Sequence, residues 1–145
     1  SYITKICNQV QKVSNIIEKN NVQFKCQDFE KTISEAKSDD LIYCDPPYID
    51  RHTDYFNGWN EECEIALNEK IKSSNCKFIL STWHSNKFRK NQYIELLWQD
   101  FNLLPVNHFY HVGGNESNRN FMIEALIFNF DTIPSSESST QLQLI

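Results

Sequence analysis

The chain has no long apolar run and no excess of positive charge. No run approaches the length of a membrane span, and the polar N-terminal residues lack the apolar core of a signal peptide, so we expect neither feature. The 14 Lys and Arg residues are outnumbered by 19 Asp and Glu residues, which gives a net charge of −5 over 145 residues. Because DNA-binding surfaces are usually basic, this composition argues against a self-sufficient DNA-binding surface.

The number and spacing of the cysteines do not indicate a disulfide framework. Their number is odd, and no pair has Cys-x-x-Cys spacing. Two of them, Cys26 and Cys44, fall in segments that we predict as buried strands. The sequence therefore indicates a reduced chain, and we expect a cytoplasmic location. The five positions are Cys7, Cys26, Cys44, Cys63 and Cys76.

Alternating helical and strand patterns predict an α/β fold. Helices are predicted at residues 2–19, 29–37, 61–74 and 86–100, the last with Tyr93, Leu96 and Leu97 facing inward. Strands are predicted at residues 22–26, 41–44, 78–82, 106–112 and 121–130. Helical crossovers imply a mostly parallel sheet, to which a final hairpin adds an antiparallel strand. We predict one domain over residues 1–131 and a flexible polar tail over residues 132–145.

The most informative segment is residues 41–48, which read Leu-Ile-Tyr-Cys-Asp-Pro-Pro-Tyr. The apolar half predicts a buried strand. Two prolines end it, because each fixes its own φ and removes a backbone donor. Asp45 and Tyr48 are thereby placed in a stiff loop at the carboxyl end of a strand, where open α/β sheets bind ligands. The purely structural alternative is a proline-braced turn with a solvated Asp45 and a packed Tyr48.

This loop carries the groups that a planar base with an exocyclic amino group requires. The carboxylate of Asp45 and the carbonyl of Pro46 can accept its two N–H bonds, and Tyr48 can stack on its ring. The amino lone pair is delocalised into the ring, so the nitrogen is a poor nucleophile. Two acceptors favour the pyramidal nitrogen that attack requires, and this stabilisation grows toward the transition state.

Asp45-Pro46-Pro47-Tyr48 resembles the catalytic motif of adenine-N6 DNA methyltransferases, in particular the alpha-class, Dam-like subfamily. Other parts of the chain resemble the subfamily in the same order. The resembling segments are residues 24–29 (Phe-Lys-Cys-Gln-Asp-Phe), the loop 54–62, the strand 77–81 and the closing strand 124–130. The resemblance spans roughly residues 5–130 and implies a partial Rossmann-like methyltransferase fold.

The resemblance also implies a cofactor, a substrate and roles for individual residues. The cofactor would be S-adenosylmethionine, and the substrate an adenine flipped out of double-stranded DNA, in a restriction–modification or phage-defence setting. The implied catalytic residues are Asp45, Pro46, Pro47 and Tyr48. Asp28 and Phe29, together with Asp45, would bind the cofactor. Residues implied to contact the base or the DNA are Tyr48, Arg51, His52, Tyr55, Asn57 and Arg119.

One departure from the family is large. The family carries a glycine-rich loop that holds the methionine part of the cofactor, and a target-recognition segment. The three glycines here, Gly58, Gly113 and Gly114, do not form such a loop. We therefore expect the chain to correspond to the carboxyl-terminal part of a methyltransferase. It would be nearly inactive alone and complemented by an N-terminal segment or a second chain.

Other interpretations remain open from the sequence. The chain could be a non-catalytic remnant or an assembly subunit, or it could methylate cytosine-N4, RNA or a protein amide. Asp at position 45 favours adenine by resemblance. His108 and His111 suggest a metal pair, but a spacing of three puts them on opposite faces of a strand, so we expect no metal site. The three tryptophans, Trp59, Trp83 and Trp98, are expected to be packing residues.

Overall fold

The computed structural model describes residues 2–49, 58–109 and 121–131. Its helices are α1 (Tyr2–Lys19), α2 (Phe29–Glu35), α3 (Glu61–Ser73) and α4 (Gln92–Leu97). Its strands are β1 (Leu41–Cys44), β2 (Lys77–Asn86), β3 (Asn102–Phe109) and β4 (Phe121–Phe128). The four strands form one sheet in the order β1-β2-β4-β3.

Three of the four strands run in the same direction. β1 pairs in parallel with β2, so that Leu41 lies opposite Lys77 and Cys44 opposite Leu80. β4 lies antiparallel between β2 and β3, which makes β3 run the same way as β2. This confirms the predicted α/β class with a mostly parallel sheet and a C-terminal antiparallel hairpin. The α3 crossover supplies the length that a parallel β1–β2 connection needs.

The core lies between one face of the sheet and helices α2, α3 and α4. Phe78 and Leu80 of β2 and Ala125 and Ile127 of β4 are all 0% exposed, because alternate residues of each strand point to this face. The helices contribute Ile33 from α2, Leu67 and Ile71 from α3, and Ile94 from α4, with Trp98 just after α4. Phe29, Ile42, Cys44 and Trp59 pack against the same cluster, so the start of α2 and the end of β1 both border the core.

The structure corrects two predictions on the amino-terminal side of the motif. Residues 22–26 form no strand, and Cys26 is exposed. Side chains of this segment bond to α2 instead, with Lys25 Nζ 2.9 Å from Glu35 Oε2. The strand at 41–44 is present, but it is half exposed rather than buried, because Ile42 and Cys44 face the core while Leu41 and Tyr43 point to the opposite face.

Predictions after the motif also need correction. The segment 86–100 contains only the short helix α4, because β2 continues to Asn86 and Asn91 caps the helix that follows. Tyr93 is buried as predicted, but Leu96 is 62% exposed and does not face inward. The first hairpin strand is Asn102–Phe109 rather than 106–112. The predicted tail at 132–145 lies outside the described residues.

The amphipathic helix predicted at 2–19 is present as α1, and none of its residues is buried. Large apolar side chains are therefore exposed on it, including Ile3, Val10 and Ile16. Within the described part of the chain, no helix combines the length and the apolar character that crossing a bilayer requires.

Candidate active site

The Asp-Pro-Pro-Tyr motif begins where β1 ends. Cys44 is the last strand residue, and the Asp45 side chain beside it is exposed. Pro46, Pro47 and Tyr48 are half-buried, and Ile49 is buried at 2% exposure. The chain thus leaves the sheet with a solvent-facing carboxylate and returns to the protein interior four residues later.

Two hydrogen bonds fix the end of the motif to the middle of the sheet. The Tyr48 hydroxyl donates to Glu124 Oε1 of β4 at 3.0 Å. The indole Nε1 of Trp83, on β2, donates to the Ile49 carbonyl at 2.9 Å. Trp83 and Glu124 are register partners in the β2–β4 ladder, so consecutive residues of the loop are held by one cross-strand pair.

Asp28 and Phe29 stand at the start of α2. The Asp28 Oδ1 atom accepts from the Glu30 backbone N–H at 2.8 Å, so Asp28 caps the helix as predicted. Because a carboxylate has two oxygens, this cap is compatible with a ligand contact. Phe29 is half-buried, and its ring centroid lies 5.6 Å from that of Trp59. Phe29 and the end of β1 pack against the same core cluster, so both candidate regions border the same core.

A buried carboxylate holds Trp59 in place. Glu64, in the first turn of α3, is 2% exposed. Its Oε2 accepts from Trp59 Nε1 at 2.6 Å and its Oε1 accepts from Trp98 Nε1 at 3.0 Å. Both oxygens are thereby satisfied, which is what a buried charge requires. Trp98 belongs to the core, so Glu64 ties Trp59 to it.

The Cys44 thiol, one residue before Asp45, is expected to be weakly reactive. Burial raises its pKa to about 11, from an ordinary value of 9.0. The neutral thiol therefore predominates at physiological pH, and a neutral thiol is a poor nucleophile. This favours a packing role for Cys44, whose side chain contacts the core, over covalent chemistry.

Several predicted contact residues cannot be placed. Arg51, His52, Tyr55, Asn57 and Arg119 lie outside the described residues. Among the residues that are described, no group of three or more His, Cys, Asp or Glu side chains could hold a metal ion.

Sequence reasoning missed three residues around the motif. It took Trp83 as packing only, placed Glu124 merely in the closing strand, and did not single out Glu64. Trp83 bonds to Ile49, 34 residues away, and Glu124 bonds to Tyr48, 76 residues away. Glu64 bonds to Trp59, only five residues away. A polar residue at an otherwise apolar strand position, such as Glu124 within Phe-Met-Ile-Glu-Ala-Leu-Ile-Phe, was the available signal.

A surface cavity of about 330 Å³ lies elsewhere. Its lining includes Ser38 and Cys76, which precede β1 and β2 at the amino ends of the strands. Asp45 follows β1 at the opposite end. The cavity is therefore separate from the motif, and its size alone gives no reason to assign it the chemistry that the motif carries.

Comparison with known proteins agrees with the motif. Residues 4–112 match the D12 class N6 adenine-specific DNA methyltransferases. The chain is 32% identical over 124 residues to the Type II methyltransferase M.FokI of Planomicrobium okeanokoites, covering 79% of this chain and 19% of that protein. It is 26% identical over 129 residues to the Type II methyltransferase M1.LlaDCHI of Lactococcus lactis subsp. cremoris, covering 83% and 44%.

A further relative is the modification methylase StsI of Streptococcus sanguinis, 27% identical over 114 residues, covering 71% of this chain and 18% of that protein. The chain thus spans less than half the length of each of these relatives. The family match covers most of the chain and includes the motif, the start of α2 and the β1–β2 pair. The chain belongs to the D12 class N6 adenine-specific DNA methyltransferase family.

Proposed function

We propose that this chain supplies the amino-group-binding half of the active site of a DNA adenine-N6 methyltransferase. The observation that carries the proposal is the exposed Asp45 carboxylate at the end of β1, in a loop whose far end is fixed by Glu124 and Trp83. A preorganised acceptor stabilises charge that develops at the reacting atom, because it need not reorient during the step.

In the proposed mechanism, Asp45 and Pro46 accept the two N–H bonds of the adenine amino group. The carbonyl of Pro46 serves as the second acceptor. Tyr48 stacks on the base. As the nitrogen becomes pyramidal and positive, the Asp45 carboxylate stabilises it and accepts the proton of one N–H bond, whose electron pair stays on the nitrogen. Since an amino group paired inside a duplex is out of reach, the base is flipped out of the helix.

The chain's residues fit part of a cofactor site. S-adenosylmethionine, when bound, supplies the electrophilic methyl group. Phe29, half-buried against Trp59, offers an aromatic face for an adenine ring, and the adjacent exposed carboxylate of Asp28 can accept from an amino group. The single glycine among the described residues, Gly58, is not part of a glycine-rich loop. The methionine part of the cofactor is therefore proposed to bind to polypeptide other than these elements.

The exposed surface of β1 supports the proposal that another stretch of polypeptide completes the active site. Leu41 and Tyr43 of this strand are 58% and 61% exposed, and β1 is at the edge of the described sheet. Exposed edge strands with apolar side chains are usually covered in native proteins. The covering segment would be an N-terminal segment or a second chain with the glycine-rich loop. A subunit that acts only in such an assembly is the alternative function that this surface favours.

We further propose that the intact protein modifies DNA in a restriction–modification system. The support is that two relatives are named as Type II methyltransferases and a third as a modification methylase. Double-stranded DNA would then be the substrate partner. With a net charge of −5, this chain would leave most of the phosphate contacts to other parts of the protein.

The deciding experiment is methyl transfer from labelled S-adenosylmethionine to DNA by the complete enzyme, with digestion to nucleosides and mass spectrometry. We expect N6-methyladenine as the product. Asp45→Ala should lower turnover by about 10²-fold or more, because charge-assisted stabilisation of the transition state is lost. Asp39→Ala, in the exposed turn before β1, is the matched control and should retain full activity. Near-normal methylation by Asp45→Ala, or N4-methylcytosine as the product, would overturn the proposal.

A further inference from the structure

The Tyr48 side chain is held by a residue far from it in sequence. Its hydroxyl donates to Glu124 Oε1 at 3.0 Å in a half-buried environment. The hydroxyl oxygen lies on the axis of the Cβ–Cγ bond, so it changes place only when the side chain turns about the Cα–Cβ bond. A hydrogen bond at the far end of the ring therefore fixes the rotation about Cα–Cβ and with it the direction of the side chain. The bond therefore determines where the ring points, and not only whether the hydroxyl is satisfied.

The position of Glu124 in the sheet makes it a firm anchor. β4 lies between β2 and β3, so Glu124 is held by ladders on both sides, opposite Trp83 and Val106. Its neighbour Ala125 is 0% exposed, and Trp83 is 1% exposed. Directly after Trp83 the β2–β4 register shifts, an irregularity of the kind that re-aims side chains. Glu124 therefore acts from an interior strand of the described sheet.

We infer that Glu124 is a positioning residue of the methyl transfer, holding the Tyr48 ring at the place from which it stacks on the substrate base. The inference rests on the proposed function and adds a residue to it. Trp83 complements Glu124 by fixing the Ile49 carbonyl, so that the backbone after Tyr48 and the end of its ring are set by adjacent side chains. Without the hydrogen bond to Glu124, the Tyr48 ring can still stack on the base, but it occupies the stacking position for only part of the time.

A double-mutant cycle in the complete enzyme tests this inference. Glu124→Leu removes the acceptor and Tyr48→Phe removes the donor. Each is expected to lower kcat by about tenfold or more, the typical range for a hydrogen bond to a charged group. If Glu124 acts through the Tyr48 hydroxyl, the double variant should be no slower than the slower single variant. Glu124→Gln keeps an acceptor oxygen and should recover most of the lost turnover. Glu95→Leu, the same change at an exposed site in α4, controls for a surface leucine.

A second readout does not depend on turnover. In the chain with ring-labelled tyrosine, the Tyr48 signal, assigned by its loss in Tyr48→Phe, should be a single sharp resonance. It should broaden or split in Glu124→Leu and sharpen again in Glu124→Gln. A merely structural Glu124 would instead lower the melting temperature in both variants and leave the Tyr48 resonance sharp.

The outcomes separate the two proposals. Additive losses in the cycle, a Glu124→Gln variant as slow as Glu124→Leu, or an unchanged Tyr48 resonance in Glu124→Leu would overturn the positioning role, while turnover that still depends on Asp45 would leave the proposed function standing. Turnover that does not depend on Asp45 would overturn the proposed function, and the positioning role with it.

Discussion

The carboxylate Oε2 of Glu64 lies 2.6 Å from the indole Nε1 of Trp59. Trp59 lies near the start of the described range 58–109, and its ring packs against Phe29. Because the other oxygen of Glu64 is bonded to Trp98 in the core, one buried carboxylate connects the core to the ring that lies beside Phe29. The stability of the domain and the shape of the proposed cofactor contact therefore depend on the same side chain.

Glu64→Ala should lower the free energy of unfolding by about 2–4 kcal/mol, because two indole N–H groups lose their acceptor. Urea denaturation of the chain followed by circular dichroism measures the change. Glu62→Ala is the matched control: Glu62 is exposed in the same first turn of α3 and should cost at most about 1 kcal/mol through the helix dipole. Equal losses of unfolding free energy in the two variants would show that the hydrogen bonds of Glu64 do not stabilise the fold.

Replacing Tyr48 should separate the work of its ring from that of its hydroxyl. Tyr48→Ala should lower turnover most, since stacking on a base is worth about 1–3 kcal/mol. Tyr48→Phe and Tyr48→Trp keep a ring and should fall between Ala and wild type, because the bond to Glu124 is lost in Phe and altered in Trp. Steady-state kinetics with melting temperatures measured alongside provide the test. Equal turnover losses for Phe and Ala at unchanged stability would rule out stacking.

Alkylation should distinguish Cys44 from the exposed cysteines. With its pKa raised to about 11, Cys44 should react with iodoacetamide far more slowly at pH 8 than Cys7 or Cys26, which are exposed. Peptide mass spectrometry after timed quenching gives the three rates. Comparable rates for Cys44 and Cys26 in the folded chain would contradict the burial that raises its pKa.

The raised pKa of the Cys44 thiol also makes the stability of the folded chain depend on pH, in a direction that can be stated. Its folded-state pKa lies above its ordinary value of 9.0, so the unfolded state loses the Cys44 proton first. The contribution of Cys44 to stability is therefore complete below about pH 9 and declines as the pH rises toward 11. Cys44→Ala should flatten this decline in urea midpoints measured from pH 8 to 11, and an unchanged decline would contradict the assignment to Cys44.

The isolated chain should bind S-adenosylmethionine weakly, because the glycine-rich backbone that would approach the methionine part is not among its elements. We expect a Kd of about 1 mM or weaker, which corresponds to a binding free energy no stronger than about −4 kcal/mol. Isothermal calorimetry is the measurement, with Phe29→Ala as the control that should remove any residual signal. A micromolar constant would contradict a site that needs further polypeptide.

Local patterns in the sequence determined the family, the α/β class, β1, the helix cap at Asp28 and the position of Asp45 directly after β1. These features depend on neighbouring residues: an apolar run ended by two prolines, or a carboxylate one residue before a helix. The predicted strand at 22–26 failed because strand formation requires a partner strand, which a local pattern cannot supply. The prediction of a helix over residues 86–100 was wrong for a related reason, since pairing with β4 extends β2 as far as Asn86 and leaves only the short helix α4.

Only the tertiary structure decided what holds the candidate site. Glu124 meets Tyr48 across 76 residues, and Trp83 meets Ile49 across 34, because β4 inserts between β2 and β3 instead of following β3 at the edge. Composition and periodicity carry no information on that strand order, which depends on the combined packing of the sheet and its helices. The sequence by itself therefore placed the Asp45 carboxylate directly after β1, and the order of the strands decided which side chains hold the loop that it begins.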